Sequence, residues 1–188
     1  MMSTSGALKV AILATDGYEQ AELLEPKQAL EEAGITVHII SDKDGVIQGY
    51  VDTDKADTVA VDLNFSQAHP EDYDALMLPG GVINSDAIRQ LPEAQIFVRQ
   101  VEASGKPIAV ICHGAWLMIS ADVVRGRTLT SWPSLRDDIR NAGGIWLDQD
   151  VVTDRNFVSG RNPDSLPAFN QALLAAIHHP AEPARWAS

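Results

Sequence analysis

The chain has 188 residues, of which 45% are hydrophobic and 21% are charged, a composition typical of a folded chain with a full core and not of a disordered one. Fourteen basic against 26 acidic side chains give a formal net charge of −12, which repels nucleic-acid backbones and anionic membranes. The single cysteine excludes an intrachain disulfide and a metal site made of several thiolates.

The sequence also indicates the cellular compartment and the number of domains to expect. No apolar run reaches the length of a membrane span, and the first ten residues lack the basic segment and long apolar core of a secretory signal. We therefore expect a cytoplasmic protein that forms one domain over residues 1–188. Its core should occupy about residues 8–178, and residues 179–188, with Pro180, Pro183 and Trp186, should form an irregular tail.

The N-terminal third predicts strands that alternate with a helix. An apolar run at 8–14 predicts a buried parallel strand, and β-branched residues at 35–41 predict a second one. Between them, apolar residues at near-helical spacing predict a helix over 19–34, in which Pro26 must lie early or produce a kink. Short alternating pieces within 42–64 indicate a small antiparallel excursion at one edge of the sheet.

The remaining chain continues the alternation. A buried strand at 73–78 ends at Pro79-Gly80-Gly81, residues 82–89 are interpreted as a loop, and a helix over 93–104 precedes a central strand at 108–111. The later elements are a helix at 115–120, a strand at 127–131, a helix at 134–142, and short strands near 145, near 151 and at 157–159. A last helix, capped by Asn162-Pro163-Asp164, ends near His178. This order predicts a doubly wound, three-layer α/β/α sandwich with a mainly parallel sheet.

The central strand ends abruptly at Cys112-His113-Gly114, which places a thiol on a turn from strand to helix. Amides at the start of the following helix favour a thiolate, and Gly114 allows a close approach of backbone or substrate. A free cysteine is also often a buried, inert hydrophobe. On this stretch alone, both interpretations stay open.

Two other loops should lie beside this turn, because the carboxyl ends of parallel strands meet at one edge of a sheet. One carries Glu19 and Glu22, and the other carries Gly80 and Gly81. The amides of Gly81 and His113 could hold the oxyanion that forms when Cys112 attacks a carbonyl. Each feature has a plainer explanation, since tight turns need glycine and helix starts favour acidic residues.

The protonation of this predicted site follows from its charges. A carboxylate beside a thiolate is disfavoured, so we expect Glu22 to stay protonated and to donate a hydrogen bond to the sulfur. His113 is a poor base for Cys112 without a special turn, since adjacent helical residues do not face one another, and Asp86 is a candidate to orient it. No cluster has metal-ligand spacing and no Rossmann or P-loop motif occurs, so we expect no metal and no cofactor.

Four segments together resemble one known family: DGYEQAELLEP at 16–26, ALMLPGG at 75–81, GKPIAVICHG at 105–114 and SWPSLRDDIRNAGG at 131–144. They are similar to the PfpI branch of the DJ-one/PfpI superfamily, and the resemblance runs from about residue 9 to residue 177. It implies a flavodoxin-like, class I glutamine-amidotransferase-like fold. It also implies roles for five residues: Cys112 as nucleophile, His113 as the histidine beside it, Glu22 as the carboxyl that touches the sulfur, Glu19 as a second acid, and Asp86 as the acid of a Cys-His-acid triad contributed across a subunit interface.

The resemblance further implies an activity and an assembly. Members of this family have been described as intracellular peptidases, as glutathione-independent glyoxalases and as deglycases that release carbonyl adducts. We therefore expect a cytoplasmic stress-response enzyme that acts on small carbonyl compounds or modified protein side chains, in a homodimer or higher homo-oligomer. The alternatives are a cysteine peptidase with a Cys112-His113-Asp86 triad and a redox sensor that is oxidised at Cys112 without turnover.

Overall fold

The structure of the protein, a computed structural model, describes residues 6–180. Twelve strands occur among these residues: β1 (Lys9–Leu13), β2 (Tyr18–Glu19), β3 (Thr36–Ser41), β4 (Val46–Val51), β5 (Asp54–Ala60), β6 (Leu63–Asn64), β7 (Ala75–Leu78), β8 (Ile108–Ile111), β9 (Thr128–Leu129), β10 (Ile145–Trp146), β11 (Val151–Asp154) and β12 (Phe157–Gly160). The helices over the same residues are α1 (Gln20–Glu32), α2 (Val82–Ile88), α3 (Pro92–Ala103), α4 (Ala115–Ser120), α5 (Arg136–Asn141) and α6 (Leu166–His178).

Seven of the strands form one sheet in the order β11-β12-β8-β7-β1-β3-β6. Every neighbouring pair in it is parallel except β11 and β12, which pair antiparallel at one edge. The predicted mainly parallel α/β fold is therefore confirmed. Because β1, β7 and β8 lie side by side, the loops that follow these three strands meet at the same edge of the sheet.

Two apolar layers cover the sheet, one on each face. Successive residues of β8 alternate between them, as the two-residue period of a strand requires: Ile108 and Val110 belong to one layer, Ala109 and Ile111 to the other. The first layer includes buried side chains of α3 and α4, and the second includes buried side chains of α1 and α6. The central strands are thus buried on both faces, which explains their continuous apolar sequences.

The segment 42–64 forms the predicted antiparallel hairpin, but most of it leaves the main sheet. β4 and β5 pair antiparallel, and β4 also pairs with β2 to make a separate three-stranded sheet. Only β6 joins the main sheet, parallel to β3 at its edge. This second sheet draws Tyr18 and Glu19 into a strand, so α1 begins at Gln20 and Glu19 precedes the helix.

Three predicted features differ in the structure or lie outside its described residues. Residues 82–89 were predicted to be a loop, which is wrong: residues Val82–Ile88 form α2, held by buried Asn84, Ser85 and Ile88. Pro26 lies inside α1, where its side chain is buried, and not in the first turn. The predicted tail lies outside the described residues from 181 onward, including Pro183 and Trp186. None of the helices between residues 6 and 180 has the length and the apolar sequence that a membrane span requires.

Candidate active site

Cys112 occupies a strained position between β8 and α4. It opens the short 3-10 turn Cys112–Gly114 and has a φ of 59°, in the left-handed region that L-residues other than glycine rarely adopt. Such a conformation costs about 1–3 kcal/mol and persists only where the surroundings impose it, often at functional sites. Gly114 permits the turn, since a Cβ there would lie 2.8 Å from the carbonyl oxygen of Leu78.

The turn brings His113 onto the thiol. The distance from Cys112 Sγ to His113 Nδ1 is 3.3 Å, which is a hydrogen-bonding distance for sulfur. His113 was expected to be a poor base for Cys112 unless a special turn joined them, and the left-handed φ of Cys112 supplies such a turn. Its role as the base stays a prediction.

Two tryptophans hold the His113 ring. Trp116 meets it edge-on with the ring centroids 5.2 Å apart, and Trp132 stacks on it at 5.8 Å with an interplanar angle of 26°. Burial lowers the pKa of His113, so its imidazole is neutral at pH 7. A neutral ring 3.3 Å from the thiol is able to accept its proton.

Glu22 reaches the site from the first turn of α1 and has no exposed surface. Its Oε2 accepts a hydrogen bond from the Gly80 N–H at 2.8 Å, while Oε1 has no hydrogen-bond partner in the described chain. Burial raises the pKa of Glu22 to about 8, and the interaction with the Cys112 thiol opposes this rise. The carboxyl thus holds its proton at neutral pH, as expected, but the main cause is burial and not the like charge of a thiolate.

The protonation state of Glu22 determines the electrostatic environment of the Cys112 sulfur. Burial raises the pKa of Cys112, a negative charge on Glu22 raises it further, and the N–H groups of His113 and Gly81 lower it. When Glu22 is protonated its charge is absent, and its hydroxyl becomes a hydrogen-bond donor beside the sulfur. A thiolate at Cys112 then faces donors from Glu22, His113 and Gly81, while burial still holds the pKa of the thiol above its ordinary value.

Gly80 and Gly81 are glycines because the site is packed against their α-carbons. A Cβ at Gly80 would collide with Glu22 Oε2 and lie 2.8 Å from Cys112 Cβ. Gly81 has a φ of 87°, and a Cβ there would collide with the carbonyl oxygen of Gly17 and lie 2.6 Å from the Glu19 nitrogen. The amides of Gly81 and His113 interact with the Cys112 sulfur and lower its pKa. Their role in holding an oxyanion stays a prediction.

A pocket of about 180 Å³ opens over the sulfur, lined by Gly17, Glu19, Glu22, Tyr50, Asp52, Gly81, Val82, Ile83, Cys112, His113, Trp132 and Pro163. Its ionisable lining groups are acids, apart from Cys112, His113 and Tyr50, and none of these described residues is lysine or arginine. Glu19 lies in the wall, where its Oε2 accepts a hydrogen bond from the Asp52 N–H at 3.2 Å and burial raises its pKa.

Several lining residues were not anticipated from the sequence. Trp132 lies in one of the segments that carry the family resemblance, and that position was a usable signal. Tyr50 and Asp52 gave no signal, since only the folding of the β4–β5 hairpin against β2 brings them to the pocket. Pro163 was read only as part of a helix start.

Asp86 is the one proposed site residue that the structure does not bring to the others within a chain. It lies on an exposed position of α2 and does not line the pocket. No group of three or more histidine, cysteine, aspartate and glutamate side chains within residues 6–180 is arranged to hold a metal ion.

Comparison with known proteins identifies the family and agrees with the fold. Residues 8–176 match the model of the DJ-1/PfpI family. Deglycase PfpI from Pyrococcus furiosus is 41% identical over 170 residues, which cover 90% of this chain and 99% of that protein. Protein/nucleic acid deglycase 2 from Escherichia coli is 40% identical over 172 residues, which cover 90% of this chain and 97% of that protein.

A solved structure from Anabaena variabilis, a two-domain protein with DJ-1/ThiJ/PfpI-like and ferritin-like domains, superposes with a TM-score of 0.87 at 30% identity. The match covers 96% of this chain and 52% of the two-domain chain. The resemblance that the motifs predicted is confirmed, and the chain belongs to the DJ-1/PfpI family.

Proposed function

We propose that the protein is a PfpI-type deglycase that uses Cys112 to release carbonyl adducts, in a cytoplasmic stress response. Relatives named as deglycases are about 40% identical over nearly their whole length. One observation carries the chemical assignment: in a single pocket the Cys112 sulfur meets a neutral imidazole at 3.3 Å and a fully buried, protonated carboxyl. We propose that the sulfur acts as the nucleophile, the imidazole as the base and the carboxyl as the acid.

The first step at Cys112 is addition of sulfur to the carbonyl. His113 Nδ1 takes the thiol proton, the sulfur forms a bond to the carbonyl carbon, and the π electron pair moves onto the carbonyl oxygen. Glu22 gives its proton to that oxygen or hydrogen-bonds it. The Gly81 and His113 amides, which face the sulfur, stabilise the charge that develops beside it.

The complete reaction balances with water alone. For a methylglyoxal adduct, the bond between the aldehyde carbon and the amine or guanidine nitrogen breaks first, a proton goes to that nitrogen, and the carrier leaves. The sulfur adds to the freed aldehyde carbon; a proton then leaves this carbon and one returns to the neighbouring ketone carbon, so one carbon is oxidised as the other is reduced. Water hydrolyses the resulting thioester, which frees the thiol and gives lactate, and we propose that His113 and Glu22 carry these protons.

The pocket favours some carriers of the adduct over others. Its small volume suits a two- or three-carbon group, and its acidic lining disfavours anionic molecules. Adducts on lysine and arginine side chains combine a small reacting group with a neutral or cationic carrier. We propose them, together with free small carbonyl compounds, as the substrates.

The test is to incubate the protein with methylglyoxal, or with a methylglyoxal-treated arginine peptide, and to measure lactate. The parent is expected to form lactate and Cys112→Ala is expected to form none above background. Ser85→Ala, which changes a buried residue of α2 that does not line the pocket, serves as a control for packing. Equal lactate from the parent and Cys112→Ala would end the proposal.

A second candidate function, peptide hydrolysis, is favoured by the same 3.3 Å contact between Cys112 and His113. A triad would need an acid, and we propose that Asp86 of a second copy in a homo-oligomer supplies it. Cleavage of fluorogenic peptides by the parent and not by Cys112→Ala would support this activity. The redox-sensor alternative requires peroxide to reach a cysteine that is only 7% exposed, and intact mass after mild peroxide treatment tests it.

A further inference from the structure

Asn84, a residue of α2 with only 1% of its surface exposed, connects three backbone groups around the candidate site. Its Oδ1 accepts a hydrogen bond from the Thr15 N–H at 2.8 Å, just after β1. Its Nδ2 donates to the carbonyl oxygen of Gly80 at 3.0 Å and to that of Pro79 at 3.4 Å. All the hydrogen-bonding groups of this side chain thus face the backbone of two loops that border Cys112.

The carbonyls that Asn84 binds belong to the peptide units that carry the donors of the site. In a trans peptide, the C=O and the N–H of one unit point in opposite directions, and the described chain has no cis peptide. With the Gly80 C=O turned to Asn84, the Gly81 N–H faces the Cys112 sulfur. With the Pro79 C=O turned the same way, the Gly80 N–H faces Glu22 Oε2 at 2.8 Å.

Without Asn84 the Gly80–Gly81 peptide unit would rotate more easily than most, because glycine has the widest choice of backbone angles and stands on both sides of this bond. The Gly80 C=O has one other donor, the Glu19 N–H, at 3.4 Å. We infer that Asn84 is a positioning residue that fixes the orientation of the Pro79–Gly80 and Gly80–Gly81 peptides, so that their N–H groups serve Glu22 and the Cys112 thiolate.

The inference rests on the proposed role of Cys112 as nucleophile, yet it is testable without turnover. Asn84→Asp keeps an oxygen for the Thr15 N–H, and its ionised carboxylate, which has no donor, replaces both donations to the carbonyls by repulsion. Iodoacetamide alkylation of Cys112, followed by mass spectrometry across pH, reports how well the thiolate is stabilised. We expect Asn84→Asp to slow alkylation at pH 7 by about tenfold and to move the midpoint of its pH profile upward, since a hydrogen bond to a charged group is lost. The neighbouring Ser85→Ala should alkylate within about twofold of the parent.

The outcomes separate the two proposals. If Cys112 of the parent is inert to alkylation at every pH below 9, the proposed nucleophile fails. If the parent reacts and Asn84→Asp reacts with the same rate and pH midpoint, Asn84 only packs the helix and the inference is overturned, whatever happens to the melting temperature.

A measurement on the unmodified protein covers the case in which the variant does not fold. The Asn84 side-chain amide protons should exchange with solvent at least a hundredfold more slowly than those of Asn141, which is exposed, because they are buried and hydrogen-bonded. Equal exchange of the two side chains in the NMR spectrum would overturn the inference without any substitution.

Discussion

The protonation state of Glu22 affects how readily Cys112 can form a thiolate. An ionised carboxylate would oppose the thiolate, whereas the protonated form donates to it, and burial keeps that proton at neutral pH. In the proposed mechanism the same carboxyl gives its proton to the oxygen that forms beside the sulfur. The titration of Glu22 should then be visible both in reactivity and in stability.

The effect on stability has a definite sign. Burial raises the pKa of Glu22 to about 8, from 4.5 in the unfolded chain. The folded state therefore binds the proton more tightly, and the stability gained from it is complete below pH 4.5 and is lost as pH rises to about 8. Glu22→Gln cannot ionise, so relative to the variant the parent should lose up to about 5 kcal/mol of unfolding free energy between pH 4.5 and pH 9.

Urea unfolding of both proteins at pH 5 and pH 8.5 measures this difference. Glu25→Gln, which alters an exposed carboxyl of the same helix, controls for the change of residue type. Parent and Glu22→Gln curves that stay parallel at both pH values would contradict the raised pKa of Glu22.

At the scale of secondary-structure elements, sequence patterns predicted the buried strands well and the helix α2 poorly. Both faces of β8 are buried, so all of its residues are apolar. The sequence shows this as a continuous apolar run that ends at Cys112. α2 was missed, since its sequence VINSDAI has β-branched and short polar residues of low helix propensity. Its buried Asn84 is held by hydrogen bonds to loops distant in the chain, which no local pattern records.

The turn that carries Gly81 supports a prediction about backbone geometry. Gly81 and Gly34 both have positive φ values, 87° and 78°, but a Cβ at Gly81 would collide with backbone atoms whereas a Cβ at Gly34 would have no atom within 4 Å. Gly34→Ala should therefore cost only the conformational penalty, about 1 kcal/mol. Gly81→Ala should cost several times more, about 3 kcal/mol or above, and should abolish Cys112 alkylation at pH 7.

Thermal or urea unfolding of the two variants beside the parent gives the comparison. The pair separates the conformational cost from the collision because the backbone angles are similar and only the surroundings differ. Equal destabilisation by the two substitutions would show that the backbone around Gly81 yields, and that close packing does not explain the glycine.

At the scale of the whole molecule, the parallel sheet explains why distant segments form one site. Glu22 follows β1, Gly80 follows β7 and Cys112 follows β8, and these strands are neighbours. That convergence was predictable from strand order alone. The contact between Cys112 and His113 was not, because it depends on a left-handed residue, and neither was the wall from Tyr50 and Asp52, because it depends on a second sheet.

The surface beside the pocket bears on assembly. Val82 and Ile83 of α2 are 52% and 56% exposed and line the pocket, and Asp86 lies exposed on the same helix. If a second copy covers this face and lends Asp86 to His113, Asp86→Asn should lose turnover and keep its unfolding midpoint, since the substitution is on the surface. Mixed with the inactive Cys112→Ala, it should regain activity, because some sites then combine an intact cysteine with an intact aspartate from different chains.

The symmetry of a dimer determines how much activity the mixture should regain. For a symmetric dimer whose subunits exchange freely, an equal mixture should reach about a quarter of parent activity per chain. Unfolding and refolding the two variants together, then assaying cleavage of a fluorogenic peptide beside each variant alone, gives the measurement. The mixture should exceed the sum of the separate variants, and its activity should fall on dilution as subunits separate. Additive activities would place Asp86 outside the site and leave Cys112, His113 and Glu22 to act within one chain.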